Sequence, residues 1–260
     1  LFAQGSATSA LTVPSSGTFG LSDNGTNSIA RARQQALAAL LGEGRDHTLV
    51  METADGLANA INLSTIVNPV ISATNTTIQS LFNTTGNSLA LQLQQVAKLI
   101  AARDTFGVKR QVFFVSLGGF DTHTGQLNTQ VNLLTQVVDA MKSFYDATAT
   151  LGVADRVTSF TLSDFGRTFK PAAGGGSDHA WGNHHFIMGG AVKGGAMYGT
   201  FPSLALTGPD DVSSEGRWLP STSVDQYAAT LATWFGVTDA QLSGVLPNLA
   251  AFPTKNLGFL

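Results

Sequence analysis

The chain has 260 residues, 12% of them charged, and its 14 basic and 17 acidic side chains give a formal net charge of −3. The longest basic run is Lys109-Arg110, so the sequence lacks the positive patch that binding to nucleic acid or an anionic membrane surface requires. The chain contains no cysteine, which excludes disulfides and thiolate ligands, so any metal must be held by nitrogen or oxygen ligands.

Hydropathy and composition also bear on location. Apolar runs stay well short of the roughly 18 to 20 residues that a spanning helix needs, so we expect no integral membrane span. Abundant Ser, Thr, Asn and Gln with few Lys and Glu resemble the composition of secreted bacterial proteins and predict export to the periplasm, cell surface or medium. Because the chain opens at Leu1 without a leader, we expect a mature form or a fragment of a longer precursor.

The first 107 residues predict a loop followed by helices. Residues 1–25 are rich in Ser, Thr and Gly, which favours a loop or extended segment. Good helix formers predict a helix over residues 28–41 that ends at Gly42, and Asp46 is a candidate cap for a second helix. Helical spacing of apolar residues returns over residues 88–103.

From residue 108 onwards, predicted strands alternate with helices. Residues 111–117 (QVFFVSL), 156–162 and 185–188 are typical of strands, while residues 126–151 and 223–235 have helical spacing. We expect the last helix to be capped by Ser221 or Ser223 and to end at Gly236. Strand, helix and strand in succession predict parallel neighbours. The predicted fold is α/β, a mostly parallel sheet flanked by helices over residues 108–260, with residues 1–107 as a helical extension of one compact domain.

Candidate functional residues follow the predicted strands. Four of the five histidines lie between residues 123 and 185, close to carboxylates and glycines. Ligands bind at the carboxyl ends of parallel strands, and imidazole and carboxylate bind divalent metals, so we predict a metal site at that edge of the sheet. The candidate ligands are Asp121, His123, Asp164, Asp178, His179 and His184.

Other interpretations of these residues stay open. Arg167 has the planar fork that holds a phosphate or sulfate oxyanion, but it could equally form a structural pair with an aspartate. Asp121 could close a turn while His123 is solvated. The glycine-rich loop of residues 174–184 could carry its histidines without any ligand.

The ordered motifs resemble a known family. They are GGFDTH (118–123), SDFGRT (163–168), GSDHAWGNHHF (176–186) and LPSTSVDQYAATLATWFGV (219–237). From about residue 110 to the C terminus, this succession resembles the DUF1501 family of exported bacterial proteins. The resemblance implies the α/β core of the alkaline phosphatase and sulfatase superfamily, whose members often hydrolyse phosphate or sulfate esters at a two-metal site.

By resemblance, Asp121 and His123 match the first ligand group of that superfamily, and Asp164 matches the aspartate of the second. One of His179, His184 or His185 matches the last ligand. Phe165 stands where the second group would carry its histidine, so one metal site is expected to be weakened, absent or rebuilt from Asp178 and His179. The expected N-terminal strand with its Gly- and Asp-containing motif is not found before residue 110, so no nucleophile is assigned.

The leading hypothesis is therefore an exported, metal-dependent hydrolase of small phosphorylated or sulfated esters. It would bind zinc, manganese, magnesium or calcium, and Arg167 would grip the oxyanion. The alternative is a non-catalytic surface or assembly protein with a degenerate site, which leaves a protein partner open. A third hypothesis is a mononuclear iron site of two histidines and one carboxylate.

Overall fold

A computed structural model describes residues 10–21 and 25–260, so part of the predicted N-terminal loop lies outside the described residues. The chain divides into two compact units, Leu1–Phe113 and Phe114–Leu260. Within the described ranges, none of the helices combines the length and the apolar character that crossing a bilayer requires.

The first unit is built from helices. Those described are α1 (Ser28–Leu40), α2 (Thr48–Ser72), α3 (Thr76–Gln79), α4 (Ser88–Ala101) and α5 (Arg103–Phe106). The side chains of Asn27, Asn75 and Asn87 each accept a hydrogen bond from a first-turn N–H, which satisfies a donor that a helix start leaves unpaired. The predicted cap at Asp46 is wrong, because His47 occupies the cap position of α2.

The second unit contains the candidate site. Its helices are α6 (Gln126–Thr150), α7 (Val224–Phe235) and α8 (Asp239–Val245), and its strands are β1 (Thr158–Phe160), β2 (Gly166–Arg167), β3 (His179–Ala180) and β4 (Ile187–Gly189). The predicted boundaries of α7 are confirmed: Ser223 and Gln226 form a capping box, and Gly236 ends the helix with φ of 106°.

The predicted parallel sheet is wrong. In the described residues the strands form two antiparallel pairs, β1 with β4 and β2 with β3, and residues 111–117 form no strand. Val112 and Phe114 are 78% and 73% exposed, so this apolar run is not covered on both faces as a strand of a parallel sheet would be. An alkaline-phosphatase-like core is therefore not supported. The apolar character of residues 111–117 predicted a buried strand, but apolar character alone does not determine whether a segment finds a partner strand.

Candidate metal centre

The centre begins in the turn before α6. Thr122 is buried, whereas its neighbours Asp121 and His123 are exposed. The hydroxyl of Thr122 accepts a hydrogen bond from Gln130 Nε2 at 3.2 Å, and its carbonyl accepts one from the backbone N–H of Ser177 at 3.2 Å. The buried threonine is therefore fixed to α6 and to a second segment, while the residues on either side of it face solvent.

Three glycines at residues 174–176 bring that second segment against the turn. The carbonyls of the first two accept hydrogen bonds from the two backbone N–H groups at the start of α6, both at 3.0 Å. A Cβ atom on Gly176 would lie 2.0 Å from the carbonyl carbon and oxygen of His123, a distance that real atoms do not adopt. Glycine is thus required where the two segments of the chain cross. His179 follows three residues after Gly176.

Three side chains converge where these segments meet. The Nε2 atoms of His123 and His179 each lie 2.9 Å from Oδ1 of Asp121. One ligand atom from each of the three residues lies within 4.8 Å of the others, and all three residues are exposed. Two ligands held about 2.1 Å from a tetrahedral zinc ion are about 3.4 Å apart, so a small outward movement of the imidazoles would admit an ion. The donor set fits a divalent metal.

Arg167, on β2, holds the carboxylate of this group. Its Nη1 donates to Asp121 Oδ1 at 2.8 Å, its Nε donates to Ser177 Oγ at 3.1 Å, and its Nη2 donates to the Ser177 carbonyl. The Ser177 hydroxyl donates in turn to Oε1 of Gln126, the first residue of α6. In this arrangement the Arg167 guanidinium orients the Asp121 carboxylate. The contact of Arg167 with a substrate oxyanion, expected from the sequence, stays a prediction.

Asp121 is ionised in this environment. The hydrogen bond from His179 lowers the pKa of Asp121, burial acts in the opposite direction, and the neighbouring Arg167 and His123 lower the pKa further. The carboxylate therefore already carries the charge that metal ligation requires.

His179 is fixed from two sides. The ring of Phe165 stacks on its imidazole, with centroids 4.0 Å apart and planes inclined by 17°. Arg217 Nε donates to the backbone carbonyl of His179 at 3.0 Å. Phe165 thus packs against a candidate ligand.

The other predicted ligands do not join this group. Asp178 approaches His123, but its Oδ1 lies 3.5 Å from the Nδ1 atom and not from Nε2. His184 stacks on Phe201, with centroids 5.0 Å apart, and Asp164 is exposed. Over residues 10–21 and 25–260, one group of at least three potential ligands is found, where the resemblance implied two metals.

Sequence reasoning missed three supporting residues, Gln126, Ser177 and Arg217. Ser177 directly precedes Asp178 and His179, so its position beside two candidate ligands was a usable signal. Arg217 lies 38 residues from the carbonyl it contacts, and no local pattern indicates that pairing.

Comparison with known proteins assigns the chain to a family. A family model described as "Protein of unknown function (DUF1501)" matches residues 3–242. The chain belongs to the DUF1501 family. The match confirms the family resemblance drawn from the motifs, extends it to residues before 110, and includes every residue of the candidate centre. Searches of curated proteins and of solved structures gave no match to this DUF1501 chain.

Proposed function

We propose that the protein binds one divalent metal ion through Asp121, His123 and His179 and uses it to hydrolyse small phosphate or sulfate esters. The observation that carries this proposal is the approach of both imidazole Nε2 atoms to one carboxylate oxygen, at 2.9 Å each. Three protein ligands leave a coordination position open, which is typical of catalytic zinc sites. Two imidazoles among three ligands favour zinc or ferrous iron over magnesium and calcium.

The charges around the centre favour an anionic substrate. Asp121 and Asp178 each carry a negative charge, and Arg167 carries a positive charge 2.8 Å from Asp121. With a divalent ion in place, positive charge exceeds negative charge by one, so the centre would attract a phosphate or sulfate group. The ligand side chains are about half exposed, at 51% to 55%, so a substrate can reach them from solvent.

The residues of the chain would prepare the centre for hydrolysis. A bound metal would supply Lewis acidity and lower the pKa of a coordinated water. Arg167 holds Asp121 in place, and Phe165 shields one face of the His179 imidazole from water. Both side chains therefore restrict the ligands to one geometry before a substrate arrives. Water is the proposed nucleophile.

Metal content and ester hydrolysis test this proposal together. We expect about one zinc or iron ion per wild-type chain and loss of that ion in His123→Ala and His179→Ala. His184→Ala is the matched control, because His184 is an exposed histidine that stacks on Phe201. Hydrolysis of aryl phosphate or aryl sulfate should stop with chelator and return with metal. Equal metal content in wild type and His179→Ala would contradict the proposal.

A second candidate function is metal-dependent binding without catalysis. It is favoured by the exposure of all three ligands, since catalytic metal sites generally sit in clefts that exclude water. Wild-type protein that binds metal through His123 and His179 but turns over neither ester would support this candidate over hydrolysis.

A further inference from the structure

The two ring nitrogens of His123 face two different carboxylates. Nε2 lies 2.9 Å from Asp121 Oδ1, and Nδ1 lies 3.5 Å from Asp178 Oδ1. The lone-pair directions of the two nitrogens diverge across the ring. Asp178 therefore stands on the side of the imidazole that points away from the other ligand atoms.

This placement separates Asp178 from the ligand set. The ligand atoms that come within 4.8 Å of one another belong to Asp121, His123 and His179, and Asp178 is not among them. An ion held by Nε2 of His123 would have the imidazole ring between itself and the Asp178 carboxylate.

Metal binding requires a particular tautomer of His123. An ion on Nε2 replaces any proton there, so the neutral imidazole must carry its proton on Nδ1. The carboxylate that stands at Nδ1 is Asp178. Metal-ligating histidines almost always donate their second N–H to such an acceptor, which fixes the ring orientation and increases the basicity of the ligand.

We propose that Asp178 is a positioning residue that accepts a hydrogen bond from Nδ1–H of His123 and so holds Nε2 towards the metal. This inference rests on the proposed metal site and assigns to Asp178 a role different from the ligand role expected from sequence. Residues 177–179 then serve the centre in three ways: Ser177 holds Arg167, Asp178 orients His123, and His179 binds the ion.

The backbone of Asp178 is itself fixed. Its N–H donates to Thr168 Oγ1 at 3.0 Å, and its carbonyl accepts from the N–H of Thr168 at 2.8 Å. Thr168 is buried, with 6% exposure, and follows Arg167 at the end of β2. The Asp178 carboxylate is thus presented from a pinned backbone, as the orientation of a neighbouring ligand requires.

Zinc affinity measured against a competing chelating dye tests this role, with Asp178→Ala, Asp178→Asn and the exposed control Asp164→Asn. Loss of an outer-shell carboxylate should weaken zinc binding about 10- to 100-fold in Asp178→Ala. Asp178→Asn should recover part of that loss, since the amide oxygen still accepts a hydrogen bond. Asp164→Asn should match wild type, and circular dichroism should show that all variants are folded.

A second measurement observes the hydrogen bond directly. In zinc-saturated, ¹⁵N-labelled protein, the Nδ1–H proton of His123 should be visible and protected from exchange. It should disappear in Asp178→Ala, while backbone signals of α6 stay in place.

The outcomes separate this inference from the proposed function. Zinc binding in Asp178→Ala equal to wild type, with the Nδ1–H signal intact, would overturn the positioning role and leave the metal site standing. Loss of zinc as complete as in His123→Ala, even in Asp178→Asn, would make Asp178 a ligand and also overturn it. Wild-type protein that binds no zinc or iron would end both proposals.

Discussion

Oδ1 of Asp121 is the atom on which the candidate centre depends. Nitrogen atoms from three segments of the chain lie within 2.9 Å of it: Nε2 of His123 in the same turn, Nη1 of Arg167 on β2 and Nε2 of His179 on β3. Arg167 and His179 hydrogen-bond this oxygen, and the imidazole of His123 crowds it from a third side. A divalent ion would have to displace the two imidazoles from that oxygen, while Arg167 can stay in place. Metal affinity therefore depends on how readily the imidazoles move.

A second carboxylate, Asp211, has a structural role and gives a prediction on pH. Its oxygens accept hydrogen bonds from four backbone N–H groups, at 3.0 to 3.2 Å. Burial acts to raise the pKa of Asp211, but the hydrogen bonds from Thr207, Ser213, Gly216 and Arg217 together outweigh it and lower the pKa.

The lowered pKa of Asp211 determines how its contribution to stability changes with pH. A carboxylate whose pKa is lower in the folded state stabilises the fold fully above its unfolded pKa, here about 3.8, and loses that contribution as the pH falls through the folded pKa. We expect Asp211→Asn to lower the melting temperature at pH 7, and we expect the difference from wild type to shrink as the pH falls below about 3.8. Thermal melts from pH 7 to pH 2 test this, with the exposed Asp139→Asn as control. A difference that stays constant with pH would count against it.

At the scale of single residues, the sequence predicted which types of side chain form the centre better than it predicted which residues lie close to one another. Asp121, His123 and His179 were among the expected ligands because imidazole and carboxylate are the side chains that bind borderline metals. Asp164 and His184 were expected on equal grounds, and the structure places them outside the group. The difference lies in orientation: burial of Thr122 turns its two neighbours outward together, and spacing alone does not show which residue of a turn will be buried.

The glycine run of residues 174–176 is the element that joins the two halves of the centre. A side chain on Gly176 would push against the backbone of His123, and neither chain segment is free to move because each is hydrogen-bonded to the other. We expect Gly176→Ala to reduce the free energy of unfolding by about 1–3 kcal/mol through overpacking and to weaken zinc binding more than about 10-fold.

Gly194→Ala is the matched control for this prediction, since a Cβ atom there would meet nothing within 4 Å. Urea unfolding and the zinc titration should leave the control unchanged. Wild-type zinc affinity in Gly176→Ala would show that the crossing of the two segments does not set the ligand geometry.

Elements with local signals were predictable, and elements that depend on distant partners were not. The helix predicted over residues 126–151 is observed as α6, Gln126–Thr150, and α7 begins and ends at its expected cap and glycine. Strand β1 lies within the predicted 156–162, but it pairs antiparallel with β4 and not parallel with residues 111–117. Helices form hydrogen bonds within one segment, whereas the partner of a strand is a long-range choice.

The same limit applies to helix faces. The helical spacing of residues 126–151 comes from an apolar stripe that the sequence predicts to be buried, formed by Leu127, Val131, Leu134, Val138, Met141 and Phe144. In the structure, Leu127, Val131 and Val138 are 77%, 56% and 58% exposed. The helix instead buries Leu133, Ala140, Phe144 and Ala147, of which Phe144 alone belonged to the stripe. Spacing predicted the helix correctly, and packing determined which face is buried.

For the molecule as a whole, the candidate centre belongs to one of the two compact units. The ligands, together with Arg167, Ser177 and Asp178, all lie in Phe114–Leu260. A ligand that binds only the folded form stabilises it by mass action, and zinc at 100 times its dissociation constant would add about 2.7 kcal/mol. This stabilisation applies to the local unfolding events that separate the metal ligands from one another.

Hydrogen exchange should therefore show where the metal acts. We expect zinc to slow amide exchange by up to about 100-fold in residues 121–126 and 165–179, since these segments must separate before the ligands do. Exchange in α1, α2 and α4 should not change, because the first unit contributes no ligand. His179→Ala should abolish the effect. Zinc-dependent protection spread evenly over both units, or present in His179→Ala, would show that the metal binds elsewhere and would remove the basis for assigning it to this centre.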